Sequence, residues 1–147
     1  MERLNIRPAY IADTSRLAPL MEQLGYPTED LQMEERLNGI LSRADYQTFV
    51  AEISDQVVGM IGLHIGHYYE KDGLYGQIVA LVVQQDFQGR RIGSSLVAEG
   101  ERWLQKQGIH TVIVNSGNTR VVAHQFYERL GYQATGIRFV KTRAEVP

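Results

Sequence analysis

Residues 4–7 alternate apolar and polar side chains and stop at Pro8, the pattern of a short edge strand. Asp13, Thr14 and Ser15 are cap-forming residues. They precede Leu17, Leu20, Met21 and Leu24, which share one helical face, and Gly25 supplies the stop. A second helix is expected over 28–41, with Leu31, Leu37 and Leu41 as its apolar side. The period then changes. Residues 48–53 read as a strand, Ser54 and Asp55 as a turn, and 57–69 as a long strand punctuated by Gly59, Gly62 and Gly66. Lys71-Asp72-Gly73 is a hairpin signal, and 75–83 is so continuously apolar that it predicts a central strand buried on both faces. A loop over 84–88 leads to a helix whose apolar positions are Ile92, Leu96, Val97, Trp103 and Leu104, ending near Lys106 and Gly108. A strand at 111–114, a helix at 121–130 closed by Gly131, and a last strand at 133–140 complete the chain. The order predicts a mixed, mostly antiparallel twisted sheet of six to seven strands flanked by four helices, in one domain over 1–147.

Composition narrows the chemistry. The chain has 147 residues, with 15 Lys and Arg against 17 Asp and Glu and a net charge of -2. That balance argues against nucleic acid as a partner, because binding phosphate chains needs a basic face. There is no cysteine, which excludes disulfides, thiolate metal sites and a cysteine nucleophile. No apolar run approaches the roughly 20 residues that span a bilayer, and the charged N-terminus does not read as an export signal. The expectation is a cytoplasmic protein with neither membrane nor metal.

The most informative stretch is Leu81-Val82-Val83-Gln84-Gln85-Asp86-Phe87-Gln88-Gly89-Arg90-Arg91-Ile92-Gly93-Ser94-Ser95. A strand ends, a polar loop follows, and a turn containing glycine and arginine opens a helix. The unpaired amides of a first helical turn, with the positive end of the helix dipole, make an anion site. Gly89 and Gly93 allow close approach, Arg90 and Arg91 add charge, and Ser94 and Ser95 offer hydroxyl donors. The same pattern also describes an ordinary helix start with solvated arginines. A dinucleotide-binding fold does not fit, because the G-x-G-x-x-G pattern is absent.

Gln88-Gly89-Arg90-Arg91-Ile92-Gly93 resembles the Q/R-x-x-G-x-G/A signature of the GNAT acetyltransferases. Ala123-His124-Gln125-Phe126-Tyr127-Glu128-Arg129-Leu130-Gly131-Tyr132 is similar to the family's second signature, in the right order and at about the usual distance. The resemblance covers nearly the whole chain and implies acetyl-CoA as acyl donor. Residues 88–94, comprising Gln88, Gly89, Arg90, Arg91, Ile92, Gly93 and Ser94, would hold the diphosphate. Leu81, Val82 and Val83 would lie along the pantetheine arm and supply an oxyanion donor. Asn118 and Phe126 would contact the cofactor, and Tyr127 would donate to the leaving sulfur. Arg91 stands where the family usually has glycine; the expectation is a right-handed φ, which arginine adopts without strain.

The implied reaction is direct attack of an amine on the thioester. A tyrosine near pKa 10 cannot fully protonate a thiolate of about 8.5, so a hydrogen bond to developing thiolate describes Tyr127 better. The amine must lose a proton, yet Ile78-Val79-Ala80-Leu81 lacks the acid that family members often carry there. His64, His67, Glu70 or a water chain are the candidates. The two histidines, an odd number apart, face opposite sides of a regular strand, which also argues against a metal pair. Tyr10, Tyr26, Tyr68 and Tyr69 are candidates for the acceptor pocket, and Glu29, Asp30, Glu34 and Glu35 would favour a cation. The resemblance leaves three readings open: acetylation of a small-molecule amine, acetylation of a protein N-terminus or lysine, and a non-catalytic acyl-CoA-binding module. Free sheet edges offer a surface for a homodimer.

Overall fold

The structure, a computed structural model, describes residues 3–115 and 121–143. The chain divides into two compact units, Met1–Val114 and Asn115–Pro147. The first contains β1 (Leu4–Pro8), α1 (Thr14–Gln23), α2 (Asp30–Leu41), β2 (Tyr46–Ile53), β3 (Gln56–His67), β4 (Leu74–Val83), α3 (Ile92–Gln105) and β5 (Val112–Val114). Short 3-10 turns precede α1 and α3. The second contains α4 (Val121–Arg129).

The sheet runs β1-β2-β3-β4-β5. Its first four strands pair antiparallel, and β4 pairs parallel with β5. The mixed, mostly antiparallel architecture agrees with the alternation in the sequence. The strand count does not: the described residues form five strands, not six or seven. Residues 133–140 carry no strand. Alternating side chains supply a face, but a strand also needs a ladder partner, and the pattern does not encode one.

Helices α1 and α2 cover one face of the sheet, where Leu17, Leu20, Met33 and Leu37 pack with Val50, Met60 and Val82. Leu31 was expected in that core but is 76% exposed, and Met33 takes its place. Met33, Leu37 and Leu41 are four residues apart and form one stripe, whereas Leu31, two residues before Met33, is turned to the opposite side of the helix. Helix α3 covers the other face and buries Ile92, Leu96, Val97 and Leu104. It lies close because Gly76 has no side chain: a Cβ there would sit 2.3 Å from Leu104 Cδ1.

The predicted glycine stops work by a shared device. After α1 the Tyr26 amide bonds the Met21 carbonyl, and after α3 the Ile109 amide bonds the Leu104 carbonyl. In each case a glycine at positive φ, Gly25 or Gly108, turns the chain back on the helix end. The edge is held by charge. Arg7 donates to both oxygens of Asp13 at 2.9 and 3.0 Å and to Glu52 at 3.1 Å, joining β1, β2 and the turn before α1. Burial raises the Asp13 carboxyl pKa, but the Arg7 hydrogen bonds and charge and the Tyr10 amide outweigh it and leave it lowered.

Candidate active site

The site begins with an irregularity in β4. Gly62 pairs with Ala80 and Leu63 with Ile78, so Val79 is an extra residue on β4. A bulge bends its strand and re-aims the groups around it. Here it leaves Val79 48% exposed, which corrects the expectation of a strand buried on both faces. The ladder between β4 and β5 also ends at this point, with Ile78 against Val114. The last five residues of β4 therefore keep β3 as a partner on one side and pass the end of the ladder on the other.

Backbone alternation then decides which groups face outward. The Gln84 amide donates to Val58 on β3 at 2.7 Å. Two residues earlier, Val82 turns its amide and carbonyl to β3 as well, while Leu81 and Val83 turn theirs away. Val83 already has acceptor contacts there: its carbonyl accepts from Gln23 Nε2 at 2.7 Å and from Gln88 Nε2 at 3.2 Å. Gln23 in turn accepts from the Gln85 amide at 3.1 Å, clamping the end of α1 to the loop after β4. Nothing in the spacing of the sequence pointed to Gln23, because its two partners lie about sixty residues away in the chain. Gln88, expected at the cofactor, spends its side-chain amide on the strand end.

The turn into α3 is left-handed. Gly89 has φ 82° and Arg91 φ 62°. The right-handed φ expected for Arg91 is therefore corrected: the position keeps the geometry that suits glycine. The geometry nonetheless favours an anion. A left-handed residue followed by right-handed Ile92 points successive amides into one concavity, a backbone nest. Arg91, Ile92, Gly93 and Ser94 are the positions whose amides have no intrahelical acceptor, and no side chain caps this end of α3. The serine hydroxyls are not free donors as expected. Ser94 and Ser95 both donate to the Arg91 carbonyl, at 3.0 and 2.8 Å, the back-bonding usual for serine in a first turn. Ile92 is buried and anchors the turn, and the Arg90 guanidinium lies 4.9 Å from the Phe87 ring centroid. Arg91→Gly is expected to stabilise the fold by up to about 1 kcal/mol, the left-handed penalty less the glycine's greater unfolded-state entropy. A urea midpoint that stays put or falls would mean the Arg91 side chain makes compensating contacts.

In the second unit, Tyr127 lies on α4, and Gly131 at φ 94° ends that helix. The Tyr132 amide bonds the Tyr127 carbonyl at 3.0 Å, and the Tyr127 ring meets Phe126 and Tyr132 edge-on at 5.2 and 5.7 Å. The spacing Tyr127-x-x-x-Gly131-Tyr132 is thus a helix stop that orients the Tyr127 ring. Asn118 lies outside the described residues.

The candidate bases separate. His64 stacks on Tyr46, with ring centroids 4.5 Å apart, and its Nε2 lies 3.4 Å from Asp45 Oδ2. His67 and Glu70 instead line an open cleft of about 340 Å³ at the β3–β4 hairpin, with Tyr68, Tyr69, Tyr75 and Ile113. Two of the four expected pocket tyrosines are in that cleft; Tyr10 and Tyr26 are exposed elsewhere. Among the described residues, no group of three His, Asp or Glu is placed to hold a metal, and no helix is long and apolar enough to cross a membrane.

The bulged strand thus parts from its parallel neighbour and hands over to an uncapped helix start. Residues 12–132 match the Acetyltransferase (GNAT) family, and the chain belongs to that family, whose members use acetyl-CoA. It is 36% identical over 86 residues to an aminoalkylphosphonate N-acetyltransferase of Salmonella typhimurium; the match covers 58% of this chain and only 56% of that relative, about half its length. It is 30% identical over 129 residues to an uncharacterized N-acetyltransferase of Chlorobaculum tepidum, covering 87% of this chain and 74% of the relative. A crystal structure of a GNAT family acetyltransferase from Staphylococcus aureus superposes with a TM-score of 0.83 at 26% identity, over 95% of this chain and 98% of the other.

Proposed function

We propose that the chain acts as one domain that transfers the acetyl group of acetyl-CoA to the primary amine of a small molecule. The observation that carries this reading is the continuity of β4 with the nest: a strand edge opens at Val79, and about ten residues later a concavity of amides follows. Residues 89–94 would hold the diphosphate through backbone amides, with Arg90 and Arg91 adding charge. The outward amide of Leu81 would receive the thioester oxygen as it becomes an oxyanion. Val83 and the β4 edge would line the pantetheine arm, as would Phe126 and Asn118. Tyr127 would hydrogen-bond the leaving sulfur.

The small-molecule acceptor is supported by the Salmonella typhimurium relative, whose name specifies an aminoalkylphosphonate. Thiol release from acetyl-CoA, followed across aminoalkylphosphonates, polyamines, amino sugars and a lysine peptide, tests the proposal. Turnover is expected with at least one small amine and not with the peptide. Binding of acetyl-CoA with no thiol release on any amine would identify a binding module instead.

A further inference from the structure

We propose that His64 is the catalytic base that takes the proton from the acceptor's ammonium group. The inference rests on the reading above, which puts the reacting carbonyl at the β4 bulge. The need is quantitative. An alkylammonium of pKa about 10.4 is free amine in only about 1 molecule in 2,500 at pH 7. Residues 78–81 contain no acid or base to change that.

His64 is placed beside the bulge. It pairs with Tyr46 on β2 and Gln77 on β4, and it shares a face of β3 with Gly62, two residues back. Two strand residues span about 6.6 Å. Gly62 carries no side chain; the atoms nearest to where one would start are Val79 Cγ2 at 3.3 Å and Ala80 Cβ and Met60 Cε at 3.8 Å. Gly62 is itself buried and the bulge residue's side chain lies over it, so the imidazole stands on the same face of the sheet as the Val79 side chain, two positions along β3. Its side chain is 27% accessible, enough to be reached and little enough to be held.

The ring is also oriented. Arg43 grips Asp45 through both oxygens, at 2.9 and 2.8 Å, and the Ile65 amide bonds the Asp45 carbonyl at 2.8 Å, fastening this loop to β3. Arg43's hydrogen bonds hold the Asp45 carboxyl below its ordinary pKa, so it is an anion at neutral pH. The Asp45 carboxylate stands 3.4 Å from Nε2, so an imidazole carrying its proton there keeps the Nδ1 lone pair to accept another. Among the described residues, Asp45 and Tyr46 stand against the ring and Arg43 holds Asp45; on β4 its pairing partner is the uncharged Gln77. His67 lies on the opposite face of β3, and Glu70 lies beyond the strand's end, so neither shares that face with the bulge residue.

The step balances. The ammonium gives one proton to Nδ1 of His64. The freed nitrogen pair forms the C–N bond and the C–S pair leaves on sulfur. The nitrogen's second proton ends on the thiolate, giving amide and coenzyme A thiol, and His64 releases its proton to solvent.

The test is kcat/KM against pH by thiol release, with 2-aminoethylphosphonate or, failing that, the panel amine turned over fastest. His64→Gln is expected to lower kcat/KM at pH 7 by about 100-fold or more, with the deficit shrinking as pH approaches the amine's own pKa. Asp45→Asn keeps the imidazole, so it is expected to lower kcat/KM less than His64→Gln does and to keep the acidic limb that His64→Gln loses; a merely structural role for His64 would leave that limb in both. An active wild type with His64→Gln within threefold, its limb intact, overturns the assignment and leaves the acetyltransferase reading standing. A wild type silent on every amine overturns both. If His64→Gln fails to fold by circular dichroism, His64→Asn takes its place, and an acidic limb kept there overturns the assignment.

Discussion

Tyr127→Phe is expected to lower kcat by roughly 10- to 100-fold while the Kd for coenzyme A changes by less than about threefold. The estimate follows from what the phenol is asked to do. A hydrogen bond to a charged partner contributes about 1.5–3 kcal/mol, and each 1.4 kcal/mol of barrier is roughly tenfold in rate. The charge exists only as the C–S bond breaks, so the loss belongs in kcat, not in binding. The substitution keeps the ring, and with it the edge contacts to Phe126 and Tyr132, so α4 retains its stop. A kcat unchanged in Tyr127→Phe would remove the phenol from the mechanism. A weakened Kd with kcat intact would make Tyr127 a binding residue.

The largest effect on stability is expected at Leu104. Its side chain is fully buried, and it fills the space that Gly76 leaves open on β4. Leu104→Ala is expected to cost roughly 2–5 kcal/mol, through lost transfer energy and a cavity that the rigid sheet cannot close. Gly76→Ala forces a Cβ to 2.3 Å from Leu104 Cδ1 and overfills the same space. Alone it is expected to cost about 1–3 kcal/mol. The two should be strongly coupled. With Leu104 truncated, the new methyl meets a void instead of a side chain, so the double variant should be at least about 1 kcal/mol more stable than the sum of the singles predicts. Urea midpoints at constant slope measure this directly. Additive penalties would mean that helix and strand shift apart on their own, and that the close approach is not held by this pair.

Most of this architecture was legible because its signals are local. Apolar spacing and a following glycine placed α1, α3 and α4, and the structure explains the glycine as a helix stop in each. The hairpin at Lys71-Asp72-Gly73 and the strand–turn–helix at 81–96 were readable for the same reason. The misses come from longer-range causes. Val79 belongs to an unbroken apolar run, and only its pairing with β3 reveals it as an extra residue. At α2 the core position falls to Met33, and Leu31, two residues before it, is turned to the opposite side of the helix and exposed.

The site divides along the same line. The turn proposed to hold the diphosphate could be named from six residues, but not its handedness: an arginine at φ 62° contradicts its own preference, and only the surrounding chain enforces it. The Asp45–His64 contact joins residues nineteen apart through the pairing of β2 with β3, so neither residue signals it alone.

The proposal depends on amides between Gly89 and Ser94 taking up a diphosphate. Backbone amide NMR during titration with dephospho-coenzyme A, which keeps the diphosphate and the thiol arm, tests that most directly. The resonances of Gly89, Arg91, Ile92, Gly93 and Ser94 are expected to move furthest and to saturate together, and pantetheine, lacking the diphosphate, should leave them in place. Saturable binding that shifts other amides while these five stay still would contradict the account.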